Sequence, residues 1–413
     1  MNATKIQTNL MKSKLITLVC LVALQTGLFS PHACAALTVG SKDNIQIGGF
    51  FSQGWIESSG NNFPFEAKGG TFDFREMAVN ISTTVGSHLR LGAQGFAERL
   101  GGYGDDKVLL DWAVADYNFR QEFGVRVGRI KYPKGLYGEA LDLDQIRPFV
   151  FLPMAIYNPI MRDYNSSFDG GMLYGAVSLG RAGAADYKVF YGNIPMSTGQ
   201  GVADYFNSVG IFSAAGVQHL KLDAVGGAAL DWATPVSGLK AHLSWSRMSR
   251  LNSSGDLGAV PFPLTVTIAL PKVDYSTVGV EFVRDDWTFA TEFQRTDGNT
   301  VVDAPPVING SRGKYGIDNW YVSAARRFGG RFEAGSYYSV ASNRFPSASD
   351  TKAQRKMQDW ALSLRCDLSE HVTVKLEGHL IDGNYNVFNT PRTPNPVMKD
   401  KSSFFAAKTT FTF

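Results

Sequence analysis

A chain of 413 residues that is 44% hydrophobic, 19% charged and 12% aromatic, with 43 glycines and a formal net charge of +3, is not a collagen, a disordered tail or a coiled coil. Its mean hydropathy is −0.10, and after the first 35 residues no apolar run approaches the ~18 residues a spanning helix needs. A helical membrane protein is thereby excluded, whereas a membrane β-barrel is not.

Residues 1–35 read as a cleavable secretory signal. Lys12 and Lys14 precede an apolar run from Leu15 to Phe29, and Ala33-Cys34-Ala35 supplies the small-residue cleavage site. Of the charged residues this segment holds only Lys5, Lys12 and Lys14, so the remainder, 36–413, carries no net formal charge. A neutral exported chain has no basic stripe for nucleic acid. Cys20 and Cys34 leave with the signal and Cys366 stands alone, which rules out a disulfide framework or a cysteine metal site within one chain. Neither metal nor cofactor is expected.

From Ile45 to Phe413 one unit recurs: about ten residues alternating apolar with polar or small, then a break rich in Gly, Asp, Asn, Ser or Pro. Val372, Val374, Leu376 and Leu380 alternate with Thr373, Lys375, Glu377 and His379, for example. Sixteen runs are expected, near 44–56, 71–84, 88–99, 108–118, 123–131, 168–179, 185–192, 222–233, 238–250, 274–283, 287–295, 317–328, 331–340, 357–368, 371–381 and 402–413. The connections alternate short with long, the long ones being 57–70, 100–107, 132–167, 193–221, 251–273, 296–316, 341–356 and 382–401. A soluble sandwich has no reason to lengthen every second connection, whereas a bilayer-spanning barrel has short periplasmic turns and longer outer loops. Lipid also offers no partner to a free sheet edge, so the sheet must close. The expected fold is an all-β transmembrane antiparallel barrel of about sixteen strands.

The fifth run enters the longest connection through Gly128-Arg129-Ile130-Lys131-Tyr132-Pro133-Lys134-Gly135. That stretch, 132–167, is too apolar for a loop in water, with Leu141, Leu143, Ile146, Phe149, Val150, Phe151 and Leu152 among its residues. It is expected to fold into the lumen as a constriction, presenting Glu139, Asp142, Asp144, Arg147, Arg162 and Asp163 to the aperture. Charges of both signs across a narrow, poorly polarisable gap orient polar solutes and bias ion choice. On the facing wall Arg90, Arg126, Glu281, Glu292, Arg327, Arg365, Lys375, Glu377 and Lys408 are the candidate pore-lining residues. Charges are tolerable in mid-strand only toward a wet lumen. The arginines Arg90, Arg126, Arg147 and Arg162 hint at anions.

The last run reads from Phe404 to Phe413, with Phe405, Ala407, Thr409, Phe411 and Phe413 on one face. This resembles the terminal strand of Gram-negative outer-membrane porins. The resemblance implies that Phe411 and Phe413 belong to the signal read by the barrel-assembly machinery. The stretch from Gly128 to Gly135 is similar to the Gly-x-x-Lys-x-Pro-x-Gly motif of the phosphate-selective porin family. That implies a sixteen-stranded homotrimer with its third loop inside the lumen. The sequence carries neither that family's dense lysine cluster nor an arginine ladder, so the likeness supports the barrel rather than phosphate. Small or polar outward residues, Gly49, Gln53, Ala93, Gly95, Ala97 and Arg129, would suit a protomer contact along the first five strands better than lipid.

The function expected is passive diffusion of small hydrophilic solutes or anions across the outer membrane, with outer-membrane lipid around the barrel and no catalysis. A structural or adhesive barrel is the alternative. A barrel phospholipase would draw on His242 with Ser244 or Ser246, or on His379, but by the alternation these face the lumen. The chain also has no GxSxG or HExxH motif.

Overall fold

The computed structural model describes residues 37–39, 45–258 and 264–413; the expected signal segment, 1–35, lies outside them. Sixteen antiparallel strands form one closed ring: β1 (Ile45–Ser59), β2 (Phe74–Val85), β3 (Leu89–Leu100), β4 (Leu109–Arg120), β5 (Phe123–Lys131), β6 (Ser167–Ser178), β7 (Ala184–Asn193), β8 (His219–Ala233), β9 (Leu239–Asp256), β10 (Thr265–Arg284), β11 (Trp287–Ala304), β12 (Ile308–Phe328), β13 (Phe332–Asn343), β14 (Lys356–Asp367), β15 (Val372–Asp382) and β16 (Lys401–Thr412). Each strand pairs with its sequence neighbours, and β16 closes on β1 from Ser403↔Ser59 to Thr412↔Phe50. Where β16 ends, a three-residue strand, Leu37–Val39, pairs with Ile45–Ile47 and extends the seam.

All sixteen expected runs are strands. Through the belt the alternation has the expected sense, and outward Val278, Val280, Trp360, Leu362 and Leu364 are exposed while inward Thr277, Ser363 and Arg365 are buried. Aromatic side chains mark the edges of the greasy belt. On β12, exposed Trp320 and Phe328 lie eight residues apart, about 27 Å along the strand. At a tilt near 40° that is roughly 20 Å of height, close to the ~25 Å apolar band of such barrels.

The expected connections 251–273 and 296–316 are corrected. Most of each is strand, because β9 to β12 run 18, 20, 18 and 21 residues and rise beyond the belt, leaving only 257–264 and 305–307 as connections. There the alternation changes sense. Val266, Ile268, Leu270, Val273 and Tyr275 of β10 are buried inward, while Asp274 bonds the outward Arg247 of β9. The cause is the outer solvent: past the belt the wall faces water, so its apolar face turns in and joins a hydrophobic core with Phe206 and Phe212. Three short helices lie in the long connections, α1 (Arg162–Asn165), α2 (Gly201–Asn207) and α3 (Lys352–Arg355).

Candidate functional site

The connection between β5 and β6 folds into the barrel, and two glycines of the quoted stretch stand where backbones or side chains come close, Gly128 within β5 against β4 and Gly135 where the loop meets the wall. At Gly128 (φ +122) a Cβ would come within 2.1 Å of the Ala113 carbonyl oxygen; at Gly135 (φ +75) it would meet the Tyr157 hydroxyl at 2.4 Å and Glu292 Oε1 at 2.7 Å. A side chain at Gly135 would push the loop off the wall, and one at Gly128 would part β5 from β4.

Three carboxylates fasten the loop. Glu292 of β11 accepts from the Leu136 amide (2.7 Å), the Tyr157 hydroxyl (2.6 Å) and the Tyr321 hydroxyl (2.8 Å). Glu377 of β15 accepts the Val150 and Phe151 amides at 2.8 and 2.9 Å. Asp144 of the loop lies 3.1 Å from Lys375 and 3.5 Å from Lys408, pairs with Arg147, and accepts from the Thr410 hydroxyl at 2.6 Å. Burial alone would raise the Asp144 pKa, but Lys375, Lys408 and Arg147 outweigh it and hold the carboxyl well below the usual range. Lys375 also donates to the Phe149 carbonyl (3.1 Å), and Arg365 to that of Arg147 (3.3 Å).

The expected pore-lining set therefore divides. Glu292, Arg365, Lys375, Glu377 and Lys408 are buried beneath the loop and fasten it, rather than facing an open lumen as expected from sequence. Glu281 accepts from the Tyr137 hydroxyl at 3.1 Å. Arg126 pairs with Asp116 at 2.7 Å beside Tyr174, while Arg327 bonds Asp367 and Arg90 is exposed; both of these lie toward the short-turn end. Phe411 and Phe413 sit outward at the same end, with Gly49 donating its amide to the Phe413 carbonyl at 3.0 Å.

On the loop, Glu139 bonds Lys188 of β7. Arg162 and Asp142 join Asp111 and Lys131 in a cluster the sequence reading missed. Arg162 lies 2.8 Å from Asp111 and 2.9 Å from Asp142, its guanidinium 3.8 Å above the Phe96 ring; Lys131 lies 2.8 Å from Asp111 and bonds Asp142. Burial works against ionising Asp142, yet Arg162 and Lys131 prevail and keep its pKa below the usual range. Lys131 stands in the quoted motif and was visible, whereas nothing marked Asp111 as its partner. Asp163 turns away from this cluster toward Val202 at the start of α2, and burial lifts it from 3.8 to about 7.

These groups border a cavity with about 570 Å³ of empty volume, part of it open to solvent. Its walls carry three acids, Glu76, Glu98 and Asp142, and three bases, Arg147, Arg162 and Lys408. The site offers paired charges across a gap and no exposed nucleophile. His379 is bound on both nitrogens, by Asp359 at 2.9 Å and Glu377 at 3.0 Å. His242 bonds Asp231 at 2.7 Å, and Ser246 is taken by the Tyr132 hydroxyl at 2.6 Å. Among the described residues no group of three or more His, Cys, Asp or Glu side chains could hold a metal ion.

No family model matches the chain, and no curated protein matches it. Solved structures do resemble it. Outer-membrane expressed OmpT of Vibrio cholerae is 11% identical, covers 93% of this chain and 100% of its own, and has a TM-score of 0.55. An anion-selective porin from Comamonas acidovorans is 12% identical over 89% of this chain and 99% of its own, with a TM-score of 0.52. The outer-membrane channel DcaP of Acinetobacter baumannii is 11% identical over 91% and 99%, also at 0.52. The shared feature is the fold, that of the closed antiparallel barrels of outer-membrane porins and channels, and no phosphate-selective branch is singled out.

Proposed function

We propose that the chain is an outer-membrane porin through which small hydrophilic solutes and ions diffuse passively, with the loop 132–167 as its constriction. The observation that carries this reading is the loop itself. It lies inside a closed barrel with a lipid-suited exterior and is pinned there by Glu292, Glu377 and Asp144, leaving a charged cavity beside it. Asp142, Arg147 and Arg162 border that cavity, with Glu139 and Asp144 as anchors to the wall. A loop held at this many points narrows the lumen rather than capping it from outside.

Three acids against three bases favour weak selectivity, and an anion preference rests on Arg147 and Arg162 outweighing Asp142. A homotrimer belongs to the same reading. Gly49, Ala93 and Gly95 present little apolar surface outward, Arg129 pairs with Asp169 on the outer face at 2.6 Å, and one of the similar structures, OmpT of Vibrio cholerae, is described in a trimer form. Purified protein in planar bilayers is expected to give ohmic current steps in groups of three. Silence at every voltage and in every salt would replace this reading with a structural or adhesive barrel.

A further inference from the structure

Buried apolar residues form two cores that meet across the outer half of the lumen. One gathers Phe168, Phe190 and Met248, the other Phe74, Phe151 and Phe404, and between them they draw on β1 to β3, β5 to β11 and β14 to β16. Met161 of the constriction loop and Tyr205 of α2 pack against both. Tyr205 meets Tyr315 of β12 and Phe388 of the β15–β16 connection edge-on, each with centroids 6.2 Å apart and planes at 74°. The charged cavity ends against one of these cores. Phe74 and Leu100 stand two residues nearer the outer ends of β2 and β3 than Glu76 and Glu98, and all four line it. Hydrated ions gain nothing beyond that point, because leaving water among rings and aliphatic groups is uncompensated, and an apolar constriction sheds its own water. The outer path to the charged cavity is therefore closed to ions in this conformation.

A buried charge sits in the apolar bridge. Asp204 of α2 is fully buried and accepts from the Tyr103 hydroxyl at 2.9 Å, the Thr390 hydroxyl at 3.2 Å and Arg392 at 2.8 Å, which ties α2 to the β3–β4 and β15–β16 connections. Arg392 also donates to the Thr198 carbonyl at 3.3 Å. A leucine would plug the mouth without the cost of burying a charge, and a buried ion pair adds little stability over an apolar pair of its size, so what this pair supplies is one defined arrangement that can be undone. Arg392 keeps 30% of its side chain in solvent, and once α2 lifts both charges regain water. Beside α2 lies an uncharged cavity, bordered by Val202, Tyr205, Phe206 and Tyr275, that reaches the charged one at Asn158. Close packing on every side would hold the helix rigid, and this free space lets it move.

We propose that α2 and the connection around it, 194–218, are a gate over the outer mouth, closed in this structure and latched by Asp204 on Arg392, Tyr103 and Thr390. The inference rests on the porin reading and deepens it by naming the control of passage. The loop 132–167 sets how much flows through an open subunit, and α2 sets how long the subunit is open.

The test is single-channel recording of the detergent-folded full chain in planar bilayers, with dwell times read apart from step size. The parent is expected to close for long intervals between steps. Asp204→Ala is expected to raise the fraction of time open at least about tenfold at an unchanged step size, because the constriction loop keeps its anchors. Arg392→Gln is expected to raise it at least about threefold, with Tyr103 and Thr390 still holding the carboxylate, and this partly exposed position serves should Asp204→Ala not fold. An open fraction equal to the parent's in every variant that folds overturns the proposal, as does a step size that changes along with it, the mark of general loosening. A parent that stays open throughout also overturns the gate, and in all three cases the porin reading stands. Silence in the parent and in the variants removes the porin reading and the gate with it.

Discussion

Two cavities in the lumen share Asn158 and obey opposite rules. In the one bordered by Arg147, Arg162 and Lys408, ionised groups face inward and meet partners, because the wall behind them faces lipid and the lumen is the only wet side. In the one bordered by Tyr275 and Tyr315, the inward face is apolar and charges such as Arg247 and Asp274 point out, because there the outside is water. The same strands cross both regimes. On β10 the exchange falls between Tyr275, buried inward, and Val278, exposed outward. Inside and outside are thus assigned by the local solvent rather than by position in the barrel.

The difference is sharpest where one cavity depends on a single charge. Asp144→Ala removes the anion between Lys375, Lys408 and Arg147, leaving Lys375 buried against carbonyl oxygens alone. Breaking a buried ion pair by deleting one partner costs about 3–5 kcal/mol. The loop is expected to release and single-channel conductance to rise several-fold, with the folded form denaturing at lower temperature. In the uncharged region Leu270→Ala costs a comparable ~2–5 kcal/mol through the space it leaves, but conductance is expected to hold, since the constriction is untouched. Equal conductance changes in the two variants would erase the distinction.

A smaller effect separates the two arginines of the charged cavity. Arg162→Ala leaves Asp111 and Asp142 with Lys131 as their remaining cation, so the reversal potential in a KCl gradient is expected to move toward cations, with the anion-to-cation permeability ratio falling roughly twofold. Arg147→Ala should shift it less, because Asp144 keeps Lys375 and Lys408. Unchanged potentials in both variants would remove these residues from the conduction path.

Most of the fold was legible in the sequence, because a two-residue period with one greasy face marks a sheet, and long connections alternating with short ones point to a sheet that spans a bilayer. The walls near Trp360 to Cys366 and Val372 to Leu380 follow it residue by residue. The upper strands were not legible. Ile268, Leu270 and Tyr315 also alternate, but in the inverted sense, and a reading that takes apolar to mean outward treats them as loop. Inward charge was equally legible at Glu292, Lys375, Glu377 and Lys408, but its use was not. Nothing local shows that Glu377 will accept two amides from residues over 220 positions away, or that Asp111 will hold Lys131 and Arg162. Pairings set by barrel closure are long-range, whereas periodicity is local.

Asp163 gives the smallest and most specific test, because it stands at the border between the regimes. Its neighbour Arg162 reaches the charged cluster, while its own carboxyl is buried against α2, and burial, with the Asp204 charge adding to it, lifts it from 3.8 to about 7. Between those two values the folded chain binds more protons at this site than the unfolded chain, so stability falls as pH rises through the interval and is lowest above it. Asp163→Asn removes the titration. Its melting temperature in detergent should match that of the parent near pH 4 and exceed it by several degrees at pH 8, with the gap opening between pH 5 and 7. A gap independent of pH would mean that the asparagine stabilises by packing alone, and that this carboxyl is ionised at little cost despite its burial.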